Sequence, residues 1–168
     1  MINQDQPVGA VMVIGGGIAG IQASLDMANS GYRVCLVEEK PAIGGAMAQL
    51  DKTFPTNDCA MCVISPKLVE AGRHLNIELL SLARVQSVSG CAGNFEVEVM
   101  QLPRYVDMEK CTSCGECDKV CPVQRPNAFD QGLGTRKAIY KLYPQGMPAA
   151  YAKAMGSPFM KNCPWPAA

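Results

Sequence analysis

The sequence predicts an α/β fold, a β-α-β half-domain carrying a β-hairpin and followed by a small cysteine-rich module. Three observations predict it. An apolar run at 10–14 leads through Gly15-Gly16-Gly17-Ile18-Ala19-Gly20 into a helical repeat and on to a second apolar run at 34–37. Residues 84–89 and 95–100 flank a Gly-Cys-Ala-Gly-Asn stretch, the pattern of two strands and a hairpin loop. Cys111-Thr-Ser-Cys114-Gly-Glu-Cys117-Asp-Lys-Val-Cys121-Pro122 then packs four cysteines into one short run.

Residues 10–14 suit a strand buried on both faces. Ile18, Ile21, Leu25 and Ala28 recur at helical spacing, and Asn29-Ser30-Gly31 stops that helix. Val34 to Val37 is a second buried strand ending at Glu38-Glu39. A Gly-x-Gly-x-x-Gly at the first turn of a complete β-α-β unit, with an acid closing the second strand, is a Rossmann-like dinucleotide fingerprint. Gly15 permits the tight turn, Gly17 lets backbone N–H groups approach a pyrophosphate, and Gly20 lets the helix pack close to the strand. The helix N-terminus adds partial positive charge. Glu38 suits a ribose 2′-hydroxyl and would repel a 2′-phosphate, which argues against NADP. Pro41-Ala42-Ile43-Gly44-Gly45 follows. A Gly-Gly pair here resembles the second FAD signature of two-dinucleotide-binding flavoproteins and points to FAD rather than NAD.

Ala46 to Lys52 suits a short helix beside the flavin. Pro55 and Asn57-Asp58 read as a turn. Ser65-Pro66 reads as the N-cap and first position of a helix over 67–74, and 77–80 as a strand. In the hairpin, Phe95, Val97 and Val99 alternate with Glu96 and Glu98, so one face is expected to be buried and one wet. Leu102-Pro103-Arg104 marks the boundary. The expected division is an FAD-binding half-domain at 8–102, a ferredoxin-like iron–sulfur module at 103–148 and an extended Pro-rich tail at 149–168. The tail has room for one short helix near 149–155. Arg136 to Tyr143 is basic and aromatic; it reads as a solvated face, with a contact surface for a larger assembly as the alternative.

The Cys-x2-Cys-x2-Cys-x3-Cys-Pro spacing is that of ferredoxin-like modules. Zinc sites separate two Cys-x2-Cys pairs by a long finger, so the tight run suits a [4Fe–4S] cluster better. In two-cluster ferredoxins the fourth cysteine serves the other cluster. Cys121 therefore implies a second centre, and Cys111, Cys114 and Cys117 need a further ligand. Cys59-x-x-Cys62 leaves three readings open: a redox-active dithiol against the flavin, half of a cluster site, or a buried pair with no chemistry. Cys35 reads as packed in a core strand, Cys91 as incidental, and His74 as a cap or surface residue. No acid–base constellation is evident.

The chain of 168 residues is 48% hydrophobic, enough for a core. Fifteen basic residues balance fifteen acidic ones, so no net field favours nucleic acid or an anionic membrane. The apolar run Val8 to Ile21 is broken by glycines and shorter than the ~20 residues a membrane span needs. No basic region precedes it, so neither a targeting segment nor a span is expected. Nine cysteines are an odd count that fits a disulfide framework poorly, and the 111–121 run reads as thiolate ligands, so the chain is placed in a reducing, anaerobic cytoplasm.

Four stretches carry a closer resemblance. They are Met47-Ala48-Gln49-Leu50-Asp51-Lys52-Thr53-Phe54-Pro55-Thr56, Asp58-Cys59, the cysteine run, and Gly132-Leu133-Gly134-Thr135-Arg136-Lys137-Ala138-Ile139-Tyr140. Through them the chain resembles the N-terminal flavin half of the heterodisulfide reductase A-subunit family. The resemblance implies a thioredoxin-reductase-like FAD fold with an inserted ferredoxin module. It also implies an oxidoreductase component that passes electrons between FAD and [4Fe–4S] clusters, with flavin-based bifurcation in some relatives. Other subunits of a redox complex, and ferredoxin or a similar carrier, are the implied partners. Carried over, Gly15, Gly17, Gly20, Glu38, Gly44 and Gly45 would bind FAD, and Cys111, Cys114, Cys117 and Cys121 would bind clusters. Cys163-Pro164 resembles the remote Cys-Pro that completes a cluster. The alternative is a non-catalytic iron–sulfur relay or assembly module that binds no flavin alone.

Overall fold

The computed structural model describes residues 9–154. At its centre is a parallel sheet in the order β1-β2-β3, made of β1 (Ala10–Ile14), β2 (Arg33–Glu38) and β3 (Ile77–Ser81). Ile14 pairs with Val37, and Val37 with Leu80, so the C-terminal ends of the strands lie level. Parallel neighbours need crossovers, and helices α1 (Ile18–Asn29) and α2 (Ala60–Arg73) supply them. Ile21, Leu25 and Ala28 of α1 and Ala60, Ile64, Leu68 and Ala71 of α2 are buried, each set at helical spacing. With Leu36 and Ile43 they form the core.

Helix α2 begins earlier than Ser65-Pro66 suggests. Its N-cap is Cys59, the Ala60 N–H donates to the Asp51 carbonyl, and Pro66 lies inside the helix. Pro66 removes one ladder hydrogen bond, but the buried stripe runs unbroken from Ala60 to Ala71 and holds the helix through it. The helix expected over 46–52 is a single 3₁₀ turn, Met47–Gln49. Strand β1 is not buried on both faces. It is an edge strand whose Ile14 is 64% exposed.

Strands β4 (Ala83–Cys91) and β5 (Asn94–Gln101) form the expected antiparallel hairpin, with a register shift between Val85 and Ser87. Its apolar face is more open than the alternation suggests, since Phe95 is 63% exposed. The hairpin is anchored at its base, where Ala83 is buried and the Leu102 N–H donates to the Leu82 carbonyl.

Beyond the hairpin come the short helix α3 (Glu116–Val120), the antiparallel pair β6 (Gln124–Pro126) and β7 (Thr135–Lys137), and β8 (Ile139–Tyr140). The chain then returns to the half-domain. Tyr143 is buried in the core, and the Ile43 N–H donates to the Met147 carbonyl at 2.9 Å. The 136–143 stretch is therefore not a solvated face. Ala138 and Tyr143 are buried, and the Arg136 guanidinium lies 3.3 Å over the Tyr140 ring. The short helix expected near 149–155 is replaced by strand β9 (Ala152–Lys153), paired with β8. Cys163 lies outside the described residues.

Candidate cofactor site

The level strand ends bring the dinucleotide residues together. The Gly15 N–H donates to the Val37 carbonyl, and Gly15 adopts φ +99°, which only glycine takes without strain. A Cβ on Gly20 would fall on the Gly15 carbonyl oxygen, so Gly20 allows the helix–strand approach expected of it. Gly17 is the N-cap of α1, and no side chain caps the first-turn N–H groups. A Cβ on Gly15 or Gly17 would meet nothing within 4 Å. The turn thus presents backbone donors to an open space, as a pyrophosphate requires.

The Gly44-Gly45 turn closes the same corner. The Gly44 N–H donates to the Gly16 carbonyl at 2.7 Å, and a Cβ on Gly45 would stand 2.8 Å from Gly17 Cα. Gly44 and Gly45 have φ of +136° and +58°. Glu38 is nearly buried and lies between the two turns. Its Oε2 accepts the Gly16 N–H at 2.7 Å and its Oε1 the Lys40 N–H at 2.8 Å. Each oxygen keeps acceptor capacity for a hydroxyl group. The residues present therefore fit a dinucleotide: an open glycine cradle, uncapped donors and one oriented carboxylate.

Two supporting residues carry no signal of this role in the sequence. Tyr143 packs its ring over Gly44 and donates its hydroxyl to the Ile43 carbonyl, and its ring stacks with Phe129 at 5.3 Å between centroids. Burial, with the charge of Glu38, pushes the Tyr143 phenol well above the usual tyrosine range. Arg104 spans the junction. Its Nη1 donates to the carbonyls of Ala150 and Tyr151, and its Nη2 to the Pro41 carbonyl and Ser81 Oγ. Their spatial neighbours lie tens of residues away, so local pattern gives no hint of them.

Tyr143→Phe should cost about 1–2 kcal/mol, because the Ile43 carbonyl loses its partner. The phenol is held neutral in the folded chain and ionises in the unfolded one. The stability it contributes is therefore present below pH 10 and is lost as pH rises above it. Urea unfolding at several alkaline pH values checks this: the wild type should lose stability more steeply than Tyr143→Phe.

The cysteine run divides in two. Gly115 caps α3 at φ +83° beside the Tyr151 hydroxyl, and burial, then Asp118 and after it Cys117, Cys111 and Cys114, push the Tyr151 phenol up. The Glu116 N–H, then the Thr112 hydroxyl, hold the Cys114 thiol below its usual range. Burial, then the neighbouring Cys111 and Cys114, push Cys117 up. Cys121 is buried elsewhere. Burial raises it, but the N–H groups of Ile139, Val123 and Ala138 and the Lys137 charge outweigh that and leave it lowered. Among the described residues no three Cys, His, Asp or Glu side chains are gathered closely enough to hold a metal ion. The donors nevertheless fit iron–sulfur chemistry, since the surrounding backbone N–H groups favour the thiolate of Cys114 and of Cys121. Cys59 and Cys62 are joined in a disulfide at the start of α2.

Comparison with known proteins decides the family. The description "FAD dependent oxidoreductase" matches residues 10–109, and "4Fe-4S binding domain" matches 104–124. The chain belongs to the FAD dependent oxidoreductase family. It carries an FAD-binding domain and a [4Fe–4S]-binding motif with cysteines 111–121. The resemblance to the heterodisulfide reductase A-subunit also holds. The chain is 58% identical over 142 residues to the first iron–sulfur A-subunit of the CoB--CoM heterodisulfide reductase of Methanopyrus kandleri, covering 84% of this chain and 21% of that protein. It is 54% identical over 137 residues to the A-subunit of the H(2):CoB-CoM heterodisulfide,ferredoxin reductase of Methanothermobacter marburgensis, covering 82% and 21%. The chain thus spans about one fifth of the length of these curated relatives. Among the described residues no helix is long and apolar enough to cross a membrane.

Proposed function

We propose that the chain is an electron-transfer segment of a heterodisulfide-reductase-like oxidoreductase, passing electrons between FAD and [4Fe–4S] clusters. One observation carries this reading. The segment after the cysteine run packs Tyr143 and Met147 against the turn at Ile43-Gly44, so the flavin corner and the thiol run belong to one packed unit. FAD, when bound, supplies the exchange between electron pairs and single electrons, and a cluster supplies single-electron relay. The α1 N-terminus, Gly15 and Gly17 bind the pyrophosphate, Glu38 orients the ribose, and Gly44-Gly45 lets the chain pass close to the cofactor. Cys111, Cys114 and Cys117 serve one cluster, which Cys163 completes, and Cys121 serves another. Bifurcation, other subunits of a redox complex and a ferredoxin-type acceptor belong to the same proposal; relatives named as A-subunits of heterodisulfide and ferredoxin reductases support the last two. A reducing cytoplasm suits free thiolate ligands.

The test is anaerobic reconstitution of the chain with iron, sulfide and FAD, followed by metal, sulfide and flavin quantification. Stoichiometric FAD beside a cluster spectrum is expected. Iron without flavin would make the chain a relay module, and zinc without iron would remove the cluster reading. Cys114→Ala should abolish the reduced-cluster electron paramagnetic resonance signal of the Cys111–Cys117 centre. Cys121→Ala should leave that signal in place, and its loss there would merge the two sets of thiols.

A further inference from the structure

Cys59 and Cys62 are not used by the flavin corner or the cluster thiols. Their Cα atoms lie 5.2 Å apart, the pair is joined as a disulfide, and both residues are exposed. Cys59 is the N-cap of the 14-residue helix α2, and the Cys62 N–H donates to Cys59 Sγ at 3.2 Å. The backbone fixes the pair from the other side too, since Lys52 bridges Cys59 and the Ala60 N–H donates to the Asp51 carbonyl. Apolar side chains stand in solvent along the same stretch. Phe54 is 98% exposed in a loop closed by the Thr53 N–H on the Asp58 carbonyl, and Leu50 and Val63 are exposed as well.

We propose that Cys59–Cys62 is a two-electron thiol–disulfide exchange site, open to an external thiol or disulfide with an apolar body.

A structural role explains the pair poorly. A bridge across a separation of three residues closes a very small loop and removes little chain entropy. In the reducing compartment expected for this chain, disulfides are transient and catalytic or redox-sensing. Exchange needs what is present: solvent-accessible sulfurs, a thiolate favoured by a helix N-terminus and an aimed N–H, and a second sulfur within bonding reach.

In the reduced pair, the Cys59 thiolate attacks one sulfur of a substrate disulfide RS–SR′. A Cys59–SR bond forms, the substrate bond breaks, and R′S⁻ leaves and takes a proton from solvent. Cys62 gives its proton to solvent and attacks Cys59 Sγ. The Cys59–Cys62 bond re-forms, and RS⁻ leaves and is protonated. The substrate gains two electrons and two protons; the pair loses two electrons and the Cys62 proton, the Cys59 proton having gone to solvent when the thiolate formed. An external dithiol, or two monothiols, runs the steps in reverse and returns both electrons.

The test uses the full 168-residue chain without flavin or iron, so its outcome is independent of the proposed electron-transfer function. The protein is equilibrated in glutathione or dithiothreitol redox buffers, alkylated and read by peptide mass. The pair should titrate as one two-electron couple, and after reduction Cys59 should alkylate at least about tenfold faster than Cys62. Cys62→Ser should accumulate a glutathione mixed disulfide at Cys59, and Cys59→Ser should form less than about a tenth as much at Cys62. Reduced thioredoxin acting faster than glutathione assigns a protein dithiol as the source, and glutathione acting faster assigns a small thiol. A pair that stays reduced in every buffer, forms no mixed disulfide, or labels equally at both positions overturns the proposal. Circular dichroism of both variants separates lost exchange from lost fold. If either unfolds, the wild-type titration and labelling rates decide.

Discussion

Arg104→Ala is expected to lower the unfolding free energy by about 3 kcal/mol and to loosen the cysteine module from the flavin corner. The guanidinium reaches Pro41 after β2, Ser81 at the end of β3, and Ala150 and Tyr151 on the returning segment. Truncation leaves these acceptors without their charged donor. Burial lowers the Arg104 pKa, with the nearby Tyr140 and Cys111 acting in the opposite direction. Partial desolvation of this kind is tolerated because the fork is well satisfied. Lysine should recover less than half of the loss, because an ammonium is a point donor and cannot serve acceptors on both sides of the junction. Urea unfolding measures the first effect, and limited proteolysis between residues 103 and 141 measures the second. If Arg104→Ala lies within about 0.5 kcal/mol of the wild type, the junction is held by apolar packing and Arg104 is incidental.

Arg104 also shows where sequence reading stops. The β-α-β unit is legible because its signals are local. An apolar strand, glycines at fixed offsets, a helical stripe and an acid all fall within one short stretch, and β1, α1 and β2 lie where that stretch puts them. The tight Cys-x2-Cys-x2-Cys-x3-Cys spacing is legible for the same reason. Helix α2 reads short in the sequence because Ser65-Pro66 is a local start signal, whereas the burial of Ala60 and Ile64 that carries the helix back past it is tertiary. The 136–143 stretch reads as a solvated face because it is basic and aromatic. Its true setting depends on Phe129, Ile43 and Gly44, which sequence proximity does not connect to Tyr143. The exposed faces of β1 and the hairpin are a third case. Alternation shows which side chains share a face but not whether anything covers that face.

The glycines of the flavin turn give the second large effect, and they separate ligand binding from folding. Gly17→Ala places its Cβ in open space at φ −76°, a conformation any residue adopts. The fold should survive with a loss of at most about 1 kcal/mol from the altered helix cap. FAD should bind at least about a hundredfold more weakly, a change of roughly 2.8 kcal/mol, because the new methyl occupies the space from which the α1 donors reach a pyrophosphate. Gly20→Ala should do the reverse. Its Cβ falls on the Gly15 carbonyl oxygen, a backbone atom that cannot swing aside, so α1 must move off the sheet at a cost above about 3 kcal/mol. FAD titration followed by flavin fluorescence, with thermal unfolding of each variant, distinguishes the two. A Gly17→Ala chain that binds FAD like the wild type would place the pyrophosphate away from the α1 N-terminus. A Gly20→Ala chain of unchanged stability would mean that helix α1 and the Gly15 turn are not in close contact. The site can bind a cofactor because one glycine leaves space for a ligand and another, three residues on, fills its space with backbone.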